Sequence, residues 1–393
     1  MNMLKQKMTW LGVAIVLVVL VVFGAAMMGS VLGSKPKELP VALVVLDRPA
    51  RLPNGGTLAA GETIRDQMLS NRALPFAWHV VNSEAKAREG LDNREYYGAL
   101  VLPADLSSGM LSLATPSPIH PKVKIIANEG MNAQASTVVR QVLGQAMNLI
   151  SRELAQQLLG QVGQQTEQVP VETAKAFMAP MNVQEEVVHP PGANHASGNA
   201  PGLLIQIMWI GSLVTGVVMF LTSRKAVASG SRRWTVSTLQ AIAGLVIAGI
   251  ASGFTLWMAS SWYGMELANA GEIWLFLWLA GSAFFLLQSS LLNWIGFPAM
   301  PLLVLLMFFS LPLLNMAPEF LSQVTREWIY SWTPFRFAAE GLREAMYFGG
   351  LGAASSNVFV LWGVAGGFLA LLLASGWKAN HASDAVSTSV TGG

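Results

Sequence analysis

Residues 202–222 read GLLIQIMWIGSLVTGVVMFLT, without one Asp, Glu, Lys, Arg or His. At 1.5 Å per residue a helix needs roughly 20 such residues to cross about 30 Å of hydrocarbon. Five further stretches share this character, at about 9–33, 235–259, 273–293, 299–317 and 357–377. The chain of 393 residues is 53% hydrophobic and only 12% charged, against about 25% charged in soluble proteins. An integral membrane protein follows, and a large soluble enzyme is excluded. The net charge of +2 leaves no basic excess for nucleic acid. With no cysteine there is no disulfide, thiolate metal site or iron–sulfur cluster.

Lys and Arg near the span ends set the orientation. Lys5 and Lys7 precede the first span, Arg224, Lys225, Arg232 and Arg233 separate the second from the third, and Lys378 follows the sixth. The segment 260–272 carries Glu266 and Glu272 and no basic residue. The expected architecture is an all-α bundle of six transmembrane helices in the cell membrane, with both termini cytoplasmic. An extracytoplasmic α/β domain is inserted between the first and second helices. The boundaries read as 1–34 for the cytoplasmic N-terminus and first span, 35–200 for the outer domain, and 201–378 for five spans with an external segment 318–356. A cytoplasmic tail occupies 379–393. Small residues at Ser30 to Ser34 would suit cleavage, but the preceding apolar run exceeds the roughly 7–15 residues of a signal peptide core, so the first span reads as a retained anchor.

Residues 35–200 hold 14 basic and 15 acidic side chains, as a folded soluble domain does. Strands are expected at Val41–Leu46, Phe76–Val81, Tyr97–Leu102 and Val123–Ala127, alternating with helices at Thr57–Ser70 and Ser83–Gly90 and with one that Pro103 opens at its first position. Nearly continuous apolar strands alternating with helices suggest a sheet covered on both faces. A long helix from about Asn132 to Val162 aligns Val139, Leu143, Met147, Ile150, Leu154 and Leu158 on one face. That face suits packing on the sheet or on a partner's equivalent helix; a stalk guiding a hydrophobic cargo is the alternative. The Pro-, Gly-, Ala- and Asn-rich run from Val169 to Gly202 reads as a linker holding His189 and His195 without an acidic companion.

Catalytic signatures are missing. No Lys follows a Gly, so there is no phosphate-binding loop, and neither GxSxG nor HExxH occurs. The chain is read as a non-enzyme with no cofactor, catalytic residue or metal ligand. Uncharged spans also lack the carboxylates or histidines that ion-driven carriers use. Gln206, Thr215, Gln240, Gln288, Asn293 and Asn315 are expected to bridge helices, and Gly249 and Gly253 form a GxxxG.

Residues 318–350 read PEFLSQVTREWIYSWTPFRFAAEGLREAMYFGG. Trp328, Tyr330, Trp332 and Tyr347 suit a membrane–water interface. Arg336, Glu340, Arg343 and Tyr347 fall on one helical face, with Phe337, Leu342, Ala345 and Met346 on the other. A short interfacial helix at the outer surface is expected, serving either as an anchor or in transport.

This segment, with its P-E-F-L and T-P-F-R-F-A-A-E-G-L-R-E runs, resembles type-2 ABC exporter permeases. The outer domain resembles the YhgE/Pip (phage infection protein) family through Val44-Val45-Leu46-Asp47, Asn54-Gly55-Gly56-Thr57-Leu58 with Gly61, Trp78-His79-Val80-Val81, Gly90-Leu91 and Tyr96 to Ser107. The stretch from His189 to Leu213 fits the same pattern. The resemblance implies a permease subunit in the lipid bilayer, paired as a homodimer or heterodimer and served by a separate nucleotide-binding ATPase subunit. It would export a lipid-like, peptide or drug-like substrate. It further implies that Ser223 to Trp234, with Arg224, Lys225, Arg232 and Arg233, faces the ATPase; the same four residues also satisfy the positive-inside rule alone. The competing function is a non-transporting surface protein whose outer domain docks phage or a cell-envelope partner. The eight residues before the first span are too few for the amphipathic cytoplasmic helix with which many type-2 permeases begin.

Overall fold

A computed structural model of the chain describes residues 17, 18, 21, 36–52, 55–115, 117–163 and 171–377. The expected first span, apart from Leu17, Val18 and Val21, lies outside the described residues, as do Lys378 and the tail 379–393. The chain divides into two compact units. One contains the described residues of 33–191 together with Met316–Ser322, and the other those of 1–32, 192–315 and 323–377.

The first unit is built on five strands: β1 (Leu39–Val45), β2 (Phe76–Val81), β3 (Gly98–Leu102), β4 (Lys122–Asn128) and β5 (Asn182–Val188). Their order is β2-β1-β3-β4-β5, parallel except between β3 and β4. Alternate residues take opposite faces, as the pleat requires. Val41, Leu43, Leu100, Leu102, Val123 and Ile125 join one apolar cluster, which includes residues of α1 (Ala60–Ser70), α3 (Leu106–Ser112) and α4 (Ala133–Gly163). Ala42, Val44, Ala99, Val101 and Ile126 join the other, with Ala87 and Leu91 of α2 (Glu84–Asp92). Both faces are therefore covered. The α4 stripe lies where expected, with Val139, Leu143, Met147, Leu154 and Leu158 buried in the first cluster and Ile150 packed against it.

Two expectations need correction. The stretch from Val169 is not a linker throughout: α5 (Val171–Met178) and β5 occupy much of it, and β5 pairs along its whole length with β4. Gln184, Glu185 and Glu186 hid this strand, since an edge strand need not be apolar. His189 accordingly has an acidic companion in Asp92, 3.3 Å away, and burial holds its imidazole below the usual range against the pull of that carboxylate. Likewise Pro103 does not open α3, which starts three residues later.

The start of α3 is decided by Asp47, just past β1. Its carboxylate accepts from the Gly61 and Ser107 amides, each at 2.8 Å, and from the Ser107 hydroxyl, whose oxygen accepts in turn from the Ala60 amide. One anion thereby satisfies donors at the heads of two helices that nothing within those helices could satisfy. Gly61 must lack a side chain there, because a β-carbon would overlap that of Asp47.

The second unit is helical: α6 (Ala200–Ala228), α7 (Arg233–Ser261), α8 (Ala270–Ile295), α9 (Ala299–Asn315), α10 (Pro334–Tyr347) and α11 (Ser355–Ala374). Among the described residues four helices are long and apolar enough to cross a membrane, namely Ala200–Ala228, Arg233–Ser261, Ala270–Ile295 and Ser355–Trp377; a shorter apolar one covers Ala299–Leu311. Helix α8 is the axis. Of its most apolar window 78% is buried, against 22–39% in the other three. Its sides are packed by α6, α7, α10 and α11.

Replacing Asp47 with Ala should destabilise the α/β unit by about 3 kcal/mol, since three donors lose their acceptor. Amide hydrogen exchange across Gly98–Leu102 in the detergent-solubilised chain would show it. Acid sensitivity is expected from a second group. Arg88 bonds Glu84 at 2.7 Å and Glu186 at 2.7 Å, while Lys124 reaches Glu84 at 3.1 Å. Burial works against the Glu84 anion, but hydrogen bonds from Arg88 and Lys124 outweigh it; the bond from Arg88 dominates at Glu186. Both carboxyls thus lie below the ordinary 4.5. Their contribution is complete above about that pH and lost as pH falls further, so Arg88→Met should flatten the acid limb of a stability–pH curve.

Candidate functional site

The four basic residues expected to face a partner cluster at one end of the helical unit. Helix α6 continues through Arg224 and Lys225, so only Ser229–Arg232 is non-helical and the expected loop shrinks to a tight turn. A backbone lock makes the turn. The Gly230 amide donates to the Val227 carbonyl at 3.0 Å and the Ser231 amide to that of Ala226 at 3.1 Å. Gly230 stands at φ +92°, where a side chain would be strained. Arg224 and Lys225 sit at the carboxyl end of α6, where cations are favoured. Arg232 precedes the first turn of α7, which Arg233 begins. Arg224, Lys225 and Arg232 are exposed, and Arg233 is half-buried.

Beneath this turn lies a polar knot drawn from four helical segments. Asn293 of α8 donates to the Gln240 side chain of α7 and to the Ser375 hydroxyl just past α11, both at 3.1 Å. Ser223 of α6 donates to the same Gln240 oxygen at 3.1 Å. The Trp234 and Trp377 rings stack 5.4 Å apart beside it. Gln240 and Asn293 thus bridge helices as their chemistry suggested. Gln288 does so through the Trp209 carbonyl at 3.3 Å, while Thr215 only donates back along α6. The GxxxG glycines receive tryptophan rings of α8 in place of a helix backbone: Trp274 donates to the Gly249 carbonyl and Trp278 to that of Leu245. A groove of about 720 Å³ remains between these two helices, lined by Gly249, Gly253, Trp257, Trp274 and Trp278 among others.

The second expected site takes a different form from the sequence reading. Helix α10 does not lie across the end of the bundle. Phe335 packs on Trp209 and Phe284, with ring centroids 4.4 and 5.4 Å apart. Gly341 faces Phe276, and beyond the helix Leu351 donates to Glu272 at 2.6 Å. Those contacts step back along α8 from its middle to its start, so α10 runs antiparallel beside it. Its apolar face demands this course, because Phe335, Ala338, Ala339, Leu342 and Ala345 are all buried. Phe337 and Met346 pack at the margin of the same cluster.

The polar face of α10 is internally satisfied. Arg336 pairs with Glu340 at 3.3 Å and lies 4.2 Å over the Tyr330 ring. Tyr330 donates to Glu340; burial, and then the carboxylate, push its phenol upward, so it stays a donor. Arg343 donates to the Leu314 carbonyl at 2.9 Å. Tyr347 lies 3.0 Å from His195 Nδ1, whose Nε2 donates to the Glu266 carbonyl at 2.6 Å. Glu344 is nearly fully buried with Asn357 donating to it at 2.8 Å. Helix α10 therefore brings ionisable groups into a unit whose spans have none. Trp328 and Trp332 are exposed, as an interface would have them, but Tyr330 is buried. Among the described residues no group of three or more His, Cys, Asp or Glu could hold a metal ion.

The family model for ABC-2 family transporter proteins matches residues 7–375. The chain belongs to the ABC-2 transporter family. No curated protein and no solved structure matches it. This ABC-2 protein is thus a multi-pass membrane protein of a transporter family, consistent with a permease.

Asn293→Leu should lower stability by about 1–3 kcal/mol, since Gln240 and Ser375 keep buried polar atoms without their partner. The double variant Gln240→Leu, Asn293→Leu should lose less than the sum of the two single losses. Thermal melting in detergent would test both.

Proposed function

We propose that the chain is the permease half of an ABC-2 exporter and works with a separate ATPase. The turn Ser229–Arg232 and its four flanking cations are the docking point for that ATPase. The observation that carries this reading is the rigid seat of the turn. A contact that transmits force needs a stiff support, and the Ser223, Gln240, Asn293 and Ser375 knot joins α6, α7, α8 and the end of α11 directly under the basic residues. Displacing the turn therefore displaces four helical segments together.

In this reading the basic end is cytoplasmic, by the bias of Lys and Arg, and the end carrying Glu266 and Glu272 is external. The segment 9–33 supplies a further span, and 299–317 another, for six in all. The α/β unit then stands outside, inserted after the first span, and two copies or a copy and a relative assemble as the working exporter. A lipid-like, peptide or drug-like substrate suits spans without ionisable groups. Placement in the YhgE/Pip branch is part of the proposal. It draws support from Asp47, Gly61 and Ser107, which belong to the quoted motif and hold one another in place.

Candidate ATPases encoded beside this chain should co-purify with it and hydrolyse ATP faster in its presence. Arg232→Glu combined with Arg233→Glu should reduce that association at least tenfold while thermal stability is retained. Undiminished co-purification of the doubly substituted protein would remove the turn from the coupling path. Failure of the unaltered protein to recruit any of the ATPases would favour a docking role for the α/β unit.

A further inference from the structure

The P-E-F-L run is Pro318–Leu321. In sequence it lies between α9 and α10, both of the helical unit, yet Met316–Ser322 belongs to the α/β unit. Its fit there is complete. Ala317 and Phe320 are 2% and 4% exposed within the larger apolar cluster of that unit. Tyr97, itself buried at the head of β3, donates to the Glu319 carboxylate at 2.7 Å, and the Lys37 amide donates to the Glu319 carbonyl at 3.3 Å. A single 3-10 turn, Pro318–Phe320, shapes the plug.

Its two flanks are held in the helical unit. Upstream, Leu314 is gripped through its carbonyl by Arg343 of α10. Downstream, a π-helical turn, Arg326–Tyr330, leads into α10. Tyr330 binds Glu340 there, and Thr333 meets Ser310 of α9 at 3.0 Å. Turns of that kind are frequent at functional sites. The chain thus leaves the helical unit, inserts a side chain into the α/β core, and returns at once to α10.

We propose that Met316–Ser322 is a tether through which movement of α9 and α10 is imposed on the α/β unit. Glu319 and Phe320 are positioning residues anchored at one end, and Arg343 is the grip at the other. The inference rests on the permease reading for its purpose, since an exporter must relay an ATP-driven change to its substrate-handling parts. Its physical content stands without an ATPase. A seven-residue segment clamped at both ends has little slack, so disturbing one clamp must load the other.

The test uses the full chain in lipid nanodiscs, without ATPase, followed by hydrogen exchange. Arg343→Gln should accelerate exchange severalfold in 316–322 and, more than 200 residues away in sequence, in Gly98–Leu102. Eight Gly/Ser residues inserted both before Met316 and after Ser322 should preserve the plug, because lengthening a loop costs little. In that chain Arg343→Gln should no longer reach Gly98–Leu102. Phe320→Ala should raise exchange in the same strand in both backgrounds, and Phe320→Leu should restore most of the protection. The tether is overturned if Arg343→Gln leaves Gly98–Leu102 unchanged in the unextended chain, or if its effect survives the insertions. Recruitment of ATPase by the unaltered protein reports separately on the permease reading.

Discussion

The helical unit depends on one element: α8, 78% buried over its most apolar window against 22–39% in the other long helices, on which α6, α7, α10 and α11 pack. In hydrocarbon the hydrophobic effect gives helices no reason to associate, so close packing and backbone-directed hydrogen bonds must do it. Small residues provide the approach. Gly244 has no side chain where the Phe285 ring sits, and Gly281 faces Met208 in the same way. Polar groups then fix the register: Ser212 donates to the Gly281 carbonyl at 3.0 Å, and Trp274, Trp278 and Trp294 donate to carbonyls of α7 and α11. The remaining helices take their places from these contacts.

The same element explains the course of α10. One side of α8 is closed by this shorter helix, whose opposite face carries Arg336, Glu340 and Arg343. Charges on a helix packed into an apolar bundle are costly unless paired or turned toward protein. Here they are spent within the molecule, on one another, on Tyr330 and on the Leu314 carbonyl. The polar groups at the two ends of the bundle also differ in kind. One end holds neutral amides and hydroxyls under an exposed basic turn; the other holds carboxylates, His195 and buried phenols.

Much of this was legible in the residues. Four of the apolar stretches became long helices because no charge interrupts them, and 299–317 became a shorter one. Strands β1 to β4 of the α/β unit followed from their apolar runs, and the α4 stripe followed from its spacing. Polar bridging by Gln240, Gln288 and Asn293 was also foreseeable, since buried amides need partners. Strand β5 was not, because Gln184, Glu185 and Glu186 resemble a solvated loop and only pairing with β4 makes them a strand. The segment between the second and third apolar stretches was drawn too long, as Arg224 and Lys225 extend α6.

Local pattern, then, determined that this is a membrane protein with charge-free spans, a basic end and a folded polar domain, because hydropathy and charge act residue by residue. Only tertiary structure decided where amphipathic α10 goes and which unit owns Pro318–Phe320. An amphipathic helix states that it needs an apolar partner without saying whether that partner is lipid or protein. A lone buried Phe states that it needs a core without saying whose. Both answers depend on contacts between residues remote in sequence, as in the Tyr97 hydroxyl meeting Glu319.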